Sequence, residues 1–296
     1  MSFEYSHCEM CPRRCGADRR TGGGYCGCGD GAAVAKTMLH MWEEPPVSGT
    51  RGSGAVFFSG CNLRCIYCQN RDISFSAAGR CMSREGLADA FFSLRNAGAH
   101  NINLVTAAPY LPDVEAALGI ARRRGLDLPV VYNTGGYELP EAVDALSPYV
   151  DVWLPDFKYA SAALAAKYSS APDYPAVAEE AIDRMVRLTG PPVIENGLIR
   201  RGVIVRHLVL PGCRADSMRV VRRIAEKWGG DVKLSLMRQY TPDFAPPGCG
   251  LNRRVTTFEY NSVLEEALRL GLDGWFQDAD SATKAYTPDF TNNVKS

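Results

Sequence analysis

Apolar residues in this chain gather in short runs separated by longer, more polar stretches. The runs at 55–59 (AVFFS), 101–105 (NINLV), 129–132 (PVVY), 149–154 (YVDVWL), 202–210 (GVIVRHLVL) and 232–236 (VKLSL) read as buried strands, with a last one at 274–276. The segments 83–97, 113–124, 140–146, 161–168, 176–188, 216–228 and 262–270 read as helices. Ser83 and Asp113 stand as the N-caps of the first two, and Gly125 ends the second. Strands separated by helices imply parallel βαβ units. About six such units predict an α/β barrel or partial barrel. No GxGxxG follows the first strand, which argues against an open dinucleotide-binding sheet. In barrels of this kind the chemistry stands on the loops after the strand C-termini.

Residues 1–33 are rich in Cys, Gly and Arg and too poor in aliphatics to build a core of their own, so a metal or a larger neighbour must hold them. Residues 34–48 read as a strand and turn leading into the barrel. The expected organisation is a Cys-rich metal-binding segment and connector at 1–48, then a barrel with a C-terminal extension at 49–296. Lys plus Arg and Asp plus Glu both number 33, so bulk charge points to neither nucleic acid nor membrane as a partner. No run is long and apolar enough to span a bilayer, and the N-terminus lacks the apolar stretch of a secretory signal, so a cytoplasmic location is expected.

Of the eleven cysteines, five lie between Cys8 and Cys28 and three between Cys61 and Cys68. In a reducing compartment such clusters read as metal ligands rather than disulfides. The loop after the first strand, Ser59-Gly60-Cys61-Asn62-Leu63-Arg64-Cys65-Ile66-Tyr67-Cys68, offers three thiolates to one cluster. Three thiolates on a four-iron cluster leave one iron open. Cys61, Cys65, Tyr67 and Cys68 fit CxxxCxxC with an aromatic before the third cysteine, and here the chain resembles the radical S-adenosylmethionine (SAM) superfamily. A three-cysteine zinc site is the competing reading; spacing, aromatic residue and strand context disfavour it.

That resemblance implies a [4Fe-4S] cluster whose open iron is chelated by SAM, and cleavage of SAM to methionine and a 5′-deoxyadenosyl radical. It extends along the chain. Tyr132-Asn133-Thr134-Gly135-Gly136 is similar to the DTNG-type segment of glycyl-radical-enzyme activating enzymes. Leu154-Pro155-Asp156-Phe157-Lys158 is similar to their DxK motif, and Val205-Arg206-His207-Leu208-Val209-Leu210-Pro211-Gly212 to their V-R-x-x-V-x-P-G strand. The resemblance implies SAM contacts for Tyr67, Asn133, Thr134, Asp156, Lys158 and Arg206. The GGE position of such enzymes reads Thr106-Ala107-Ala108-Pro109, where Thr106 or backbone carbonyls would take over. His207 alternates with Arg206 and is read as a satisfied core histidine.

The whole-chain pattern resembles the pyruvate formate-lyase activating enzyme-like group. This implies hydrogen abstraction from a glycyl radical enzyme, with flavodoxin or ferredoxin as reductant. Only twelve residues separate Cys68 from Cys81, so the ferredoxin-like insert of several activases is missing. Radical modification of a small molecule, cofactor or peptide residue is the alternative; a non-catalytic metal-binding module is a third reading.

Cys8-x2-Cys11-x3-Cys15-x10-Cys26 gives four further thiolates, with Cys28 spare. Structural zinc and a second [4Fe-4S] cluster both suit them, zinc being narrowly preferred because the segment stands outside the barrel. Trp42 is read as core, Glu43 or Glu44 as a candidate for the active site, and Arg122, Arg123 and Arg124 as a solvated helix end. The loop 238–254 reads as substrate-facing. The pentapeptide YTPDF occurs at 240–244 and again at 286–290, and the sequence assigns the repeat no role.

Overall fold

In the computed structural model, which describes residues 3–76, 78–278, 281, 288 and 290, the chain is organised around a curved sheet. The strands are β1 (Ala32–His40), β2 (Ser53–Phe58), β3 (Arg80–Met82), β4 (Ile102–Val105), β5 (Val130–Thr134), β6 (Val152–Pro155), β7 (Val193–Glu195), β8 (Leu198–Leu208), β9 (Lys233–Met237) and β10 (Gly274–Phe276). The helices are α1 (Pro45–Ser48), α2 (Arg71–Ser74), α3 (Arg84–Asn96), α4 (Leu111–Arg123), α5 (Pro140–Leu146), α6 (Ala162–Ser169), α7 (Tyr174–Thr189), α8 (Arg214–Lys227) and α9 (Thr257–Arg269).

Parallel pairing runs β2–β4–β5–β6–β8–β9–β10. β1 joins β2 antiparallel, β3 joins β1, and β7 joins β8. Among the described residues the sheet runs from β3 to β10 without closing on itself. This mixed α/β sheet is consistent with the partial barrel read from the strand–helix alternation.

Period-two alternation divides each parallel strand between two environments. Leu104, Tyr132, Trp153, Val203 and Leu234 belong to the large core shared with the helices. Val131, Val152, Leu154 and Ile204 form a second cluster, packed against by Trp275 of β10. Strands that far apart in the sheet share one cluster only if the sheet curls, and this is the barrel interior. Polar residues also point inward, among them Asn103, Asn133, Arg206 and Ser235, and they lie toward the site.

Several local expectations are corrected. Asp113 is not an N-cap: Leu111 and Pro112 open α4 two residues earlier, with Tyr110 at the cap position. Asp113 instead accepts the Tyr5 hydroxyl at 2.7 Å and pairs with Arg84 at 2.9 Å, tying the N-terminal segment to the helix. α9 begins five residues before the expected start, because Thr256 and Glu259 form a capping box. Arg122 is a brace rather than part of a solvated end. It donates to the carbonyls of Leu126, Leu128 and Tyr149 and pairs with Asp151 at 2.9 Å.

Candidate active site

The loop after β2 turns sharply at Gly60, whose φ is +77° and where an added Cβ would lie 2.0 Å from the Cys28 sulfur. Only glycine fits there. The turn delivers Cys61, Cys65 and Cys68 to one cavity at the C-terminal end of the parallel strands. Cys65 Sγ lies 2.9 Å from the Ser169 hydroxyl and Cys68 Sγ 3.4 Å from that of Ser74. Leu63 N–H donates to Cys61 Sγ at 3.5 Å. Burial pushes the Cys61 thiol up to about 12 and raises that of Cys68, so a metal must displace their protons on binding.

The same cavity is lined by Tyr67, Thr106, Asn133 and Thr134, and by Asp156, Lys158 and Arg206. The structure therefore gathers every residue singled out around the CxxxCxxC loop. Tyr67 is buried, its hydroxyl 2.7 Å from that of Tyr159, which in turn lies 2.8 Å from Ser169 Oγ. Thr106 has φ +61°, an uncommon value for a β-branched residue, and its N–H donates to the Asn133 carbonyl at 2.9 Å. Thr134 donates to the buried Glu138 carboxylate. The Gly135–Gly136 pair follows because an added Cβ at Gly136 would meet the Asp156 carbonyl at 2.2 Å.

The polar residues form one chain of contacts. Glu43 Oε1 accepts from the side-chain amides of Asn103 (3.0 Å) and Asn133 (3.1 Å). Arg206 donates to Asn133 Oδ1 at 2.6 Å and to Asp156 Oδ1 at 2.9 Å, while Lys158 donates to Asp156 Oδ2. Burial acts to raise the Asp156 carboxyl, but Arg206 and Lys158 outweigh it and hold the group below the usual range. Burial likewise works against the Lys158 charge and is overcome by Asp156. Glu43 and Glu44 go the other way: burial raises both against the pull of Arg206.

Glu43 is thus brought into the site, whereas the Glu44 side chain is buried with one oxygen unpartnered. Trp42 is not core: it is 56% exposed and lines the cavity. His207 is buried, its Nδ1 2.8 Å from the Phe157 carbonyl, on the opposite side of β8 from the Arg206 network. Asn103 escaped notice in the sequence, although a buried amide at an inward position of an apolar strand was its signal. From the loop after β9, Tyr240, Thr241 and Phe244 line the cavity. From the second YTPDF copy Pro288 lines it too, and Phe290 packs edge-on against Phe57 with ring centroids 5.4 Å apart. Tyr286, Thr287 and Asp289 of that copy lie outside the described residues.

Cys8, Cys11, Cys15 and Cys26 line a second cavity, shared with Asn62 of the cysteine loop and with Ala108 and Pro109 after β4. Cys28 is fully buried, its sulfur 3.4 Å from the Ser59 carbonyl. Among the described residues no three His, Cys, Asp or Glu side chains stand together as a ready site for one metal ion. A [4Fe-4S] cube asks for something different, since each of its thiolates meets a separate iron. Three thiols lining one cavity fit that demand at Cys61, Cys65 and Cys68.

The chain is thus an α/β protein with a cysteine-lined cavity at the C-terminal ends of its parallel strands. Residues 55–212 match the family model of the Radical SAM superfamily, more than half of the chain, and the chain belongs to that superfamily. Radical chemistry based on SAM and an iron–sulfur cluster follows from that membership. The chain is 28% identical over 279 residues to an uncharacterized protein of Methanocaldococcus jannaschii, covering 91% of this chain and 76% of the other. A radical SAM methyltransferase from Sphaerobacter thermophilus superposes with a TM-score of 0.52 at 18% identity, over 76% of this chain and 66% of that one. SuiB from Streptococcus suis bound to the precursor peptide SuiA gives 0.51 at 10% identity, over 74% of this chain and 46% of that one. At such identities these likenesses concern the fold. No helix among the described residues is long and apolar enough to cross a membrane.

Proposed function

We propose that Cys61, Cys65 and Cys68 hold the cluster, that Asn133, Thr134, Asp156, Lys158 and Arg206 bind SAM, and that the substrate is a small molecule or a single residue of a peptide. One observation carries the substrate reading. The cavity beside the cysteines is lined by the chain's own Trp42, Tyr240, Phe244 and Pro288, apolar groups suited to hold a small molecule or a single side chain. Cys61, Cys65 and Cys68 would hold a [4Fe-4S] cluster, which would supply the electron for reductive cleavage of SAM. The protein's part is positioning. Lys158 and Arg206 offer donors to a carboxylate, Asp156 and Glu43 face cationic groups, and Tyr67 with Tyr159 closes the polar floor. Thr106, held at positive φ, takes the place of the GGE segment at the amine.

A second reading, activation of a glycyl radical enzyme with a flavodoxin or ferredoxin as reductant, is favoured by the motifs around Asn133, Asp156 and Arg206. The test is anaerobic. The protein is reconstituted with iron and sulfide, given dithionite and SAM, and assayed for 5′-deoxyadenosine beside Cys65→Ala. Nucleoside from the wild type alone supports the proposal; equal amounts from both, or no SAM binding by a loaded wild type, sinks it. Adding candidate small substrates, or a purified glycyl radical enzyme, then separates the two readings by which one accelerates turnover.

A further inference from the structure

The second cavity contains a charge that its neighbours do not balance. Arg19 is 2% exposed. Its guanidinium donates to the carbonyls of Cys28 (3.1 Å), Gly29 (2.5 Å) and Pro109 (2.5 Å), and lies 3.8 Å from both Cys8 Sγ and Met10 Sδ. It is stacked near Tyr5 and Tyr110, 4.8 Å and 5.6 Å from the ring centroids. Among the described residues no carboxylate forms an ion pair with it. Carbonyl dipoles satisfy its N–H groups, but a buried full charge calls for an opposite one. Apart from the Tyr25 phenol, the thiols of Cys8, Cys11, Cys15 and Cys26 are the groups lining that cavity that can become anionic.

We infer that Arg19 is the built-in counter-ion of an anionic metal–thiolate centre formed by Cys8, Cys11, Cys15 and Cys26. Four thiolates outweigh the charge of one zinc ion, and they outweigh that of an oxidised [4Fe-4S] core as well, so either centre is an anion. Either would place its negative charge beside the guanidinium. The geometry also ties this centre to the first one. Arg13 donates to the carbonyls of Asn62 (2.8 Å), Ser169 (3.2 Å) and Ser170 (2.6 Å), joining the N-terminal segment to the cysteine loop and to the serine beside Cys65. Cys28 meets the same loop at Gly60.

The inference rests on these four cysteines binding metal, and the experiment separates the two claims. Full-length protein carrying Cys61→Ala, Cys65→Ala and Cys68→Ala is loaded anaerobically with zinc alone, or with ferrous iron and sulfide. Metal and sulfide per chain are then measured after desalting, and affinity by chelator competition. Retention of one zinc, or of one iron–sulfur cluster, is expected, and the two arms identify the metal. In the same background Arg19→Gln is expected to weaken binding at least tenfold, and Arg19→Lys to restore most of it. Metal absent from both arms overturns the site. Unchanged affinity in Arg19→Gln overturns the counter-ion role. So does equal loss in Gln and Lys variants, because a purely structural arginine would not be rescued by charge.

Discussion

Arg206 Nε lies 2.9 Å from Asp156 Oδ1, where the residue just after β6 forms a backbone bridge to β8 beyond the pairing at 152–153. The ion pair and the Asp156–Arg206 bridge therefore fasten the same two strands at the mouth of the barrel. Lys158 takes the other carboxylate oxygen, so one acid holds two cations.

Replacing that acid leaves two like charges facing each other with little water near. Asp156→Asn is expected to cost about 3 kcal/mol of unfolding free energy, since removing one partner strands the other charges. Urea unfolding of the metal-free protein measures it. Adding Arg206→Met to Asp156→Asn should recover part of the loss, and a double variant less stable than either single one would contradict the pairing.

Glu43 acts at one remove. It holds the amide of Asn133, which accepts from Arg206, which in turn orients Asp156. Glu43→Gln keeps the shape but removes the charge near Arg206, 3.6 Å away. The variant is expected to load its cluster normally and to bind SAM about tenfold more weakly, the order expected for groups that orient ligand-binding residues. Equilibrium binding of SAM to the reconstituted protein decides; unaltered affinity would remove Glu43 from the site.

The parallel strands were legible because each is a compact apolar run flanked by turns, and their parallel pairing followed from the helices between them. The cysteine loop was legible from its spacing, whereas Asn133, Asp156 and Arg206 were picked out by their resemblance to family motifs, and all of them line one cavity. Glu43 was only one of two adjacent candidates and Asn103 was missed, because the first sits 60 residues before the second and only folding joins them. Trp42 misled: a tryptophan usually buries itself, but this one borders a cavity. Arg19 looked like one more basic residue of a polar segment, and its burial comes from packing against Tyr5, Tyr110 and the Pro109 carbonyl. Asp113 was misplaced by two residues because Pro112 starts the helix and the acid only reinforces it.

Glu138 makes stability depend on pH. It is buried, accepts the Thr134 hydroxyl, and burial pushes its carboxyl up to about 7 from an ordinary 4.5 despite that bond. Between those values the folded chain keeps a proton that the unfolded chain has lost. Its contribution therefore falls as pH rises from about 4.5 to about 7, and the penalty persists above. The span corresponds to roughly 3 kcal/mol. Glu138→Gln should remove that slope, being more stable than wild type at pH 8 and similar at pH 4.5. Parallel pH profiles of the two proteins would expose a wrong assignment.

The repeated YTPDF gains a physical account from where its copies lie. Tyr240, Thr241 and Phe244 of the first line the main cavity, and so does Pro288 of the second. Phe290 packs at 72° against Phe57, in a small apolar cluster with Ala35, Ala55, Ile73 and Val105. Among the described residues the sheet does not close between β3 and β10, and Phe290 adds apolar cover to that cluster. An edge-to-face pair of this kind contributes about 1 kcal/mol beyond its buried area. Phe290→Ala should lower stability by that order, and Phe290→Asp should in addition raise binding of an apolar fluorescent dye to the folded protein. Phe290→Leu, which keeps the apolar bulk but not the ring, should bind dye nearly as wild type and lose about the 1 kcal/mol of the ring contact. If dye binding and unfolding midpoint are the same in all three variants, the aromatic contact does not seal the barrel, and the cavity must be treated as open on that side.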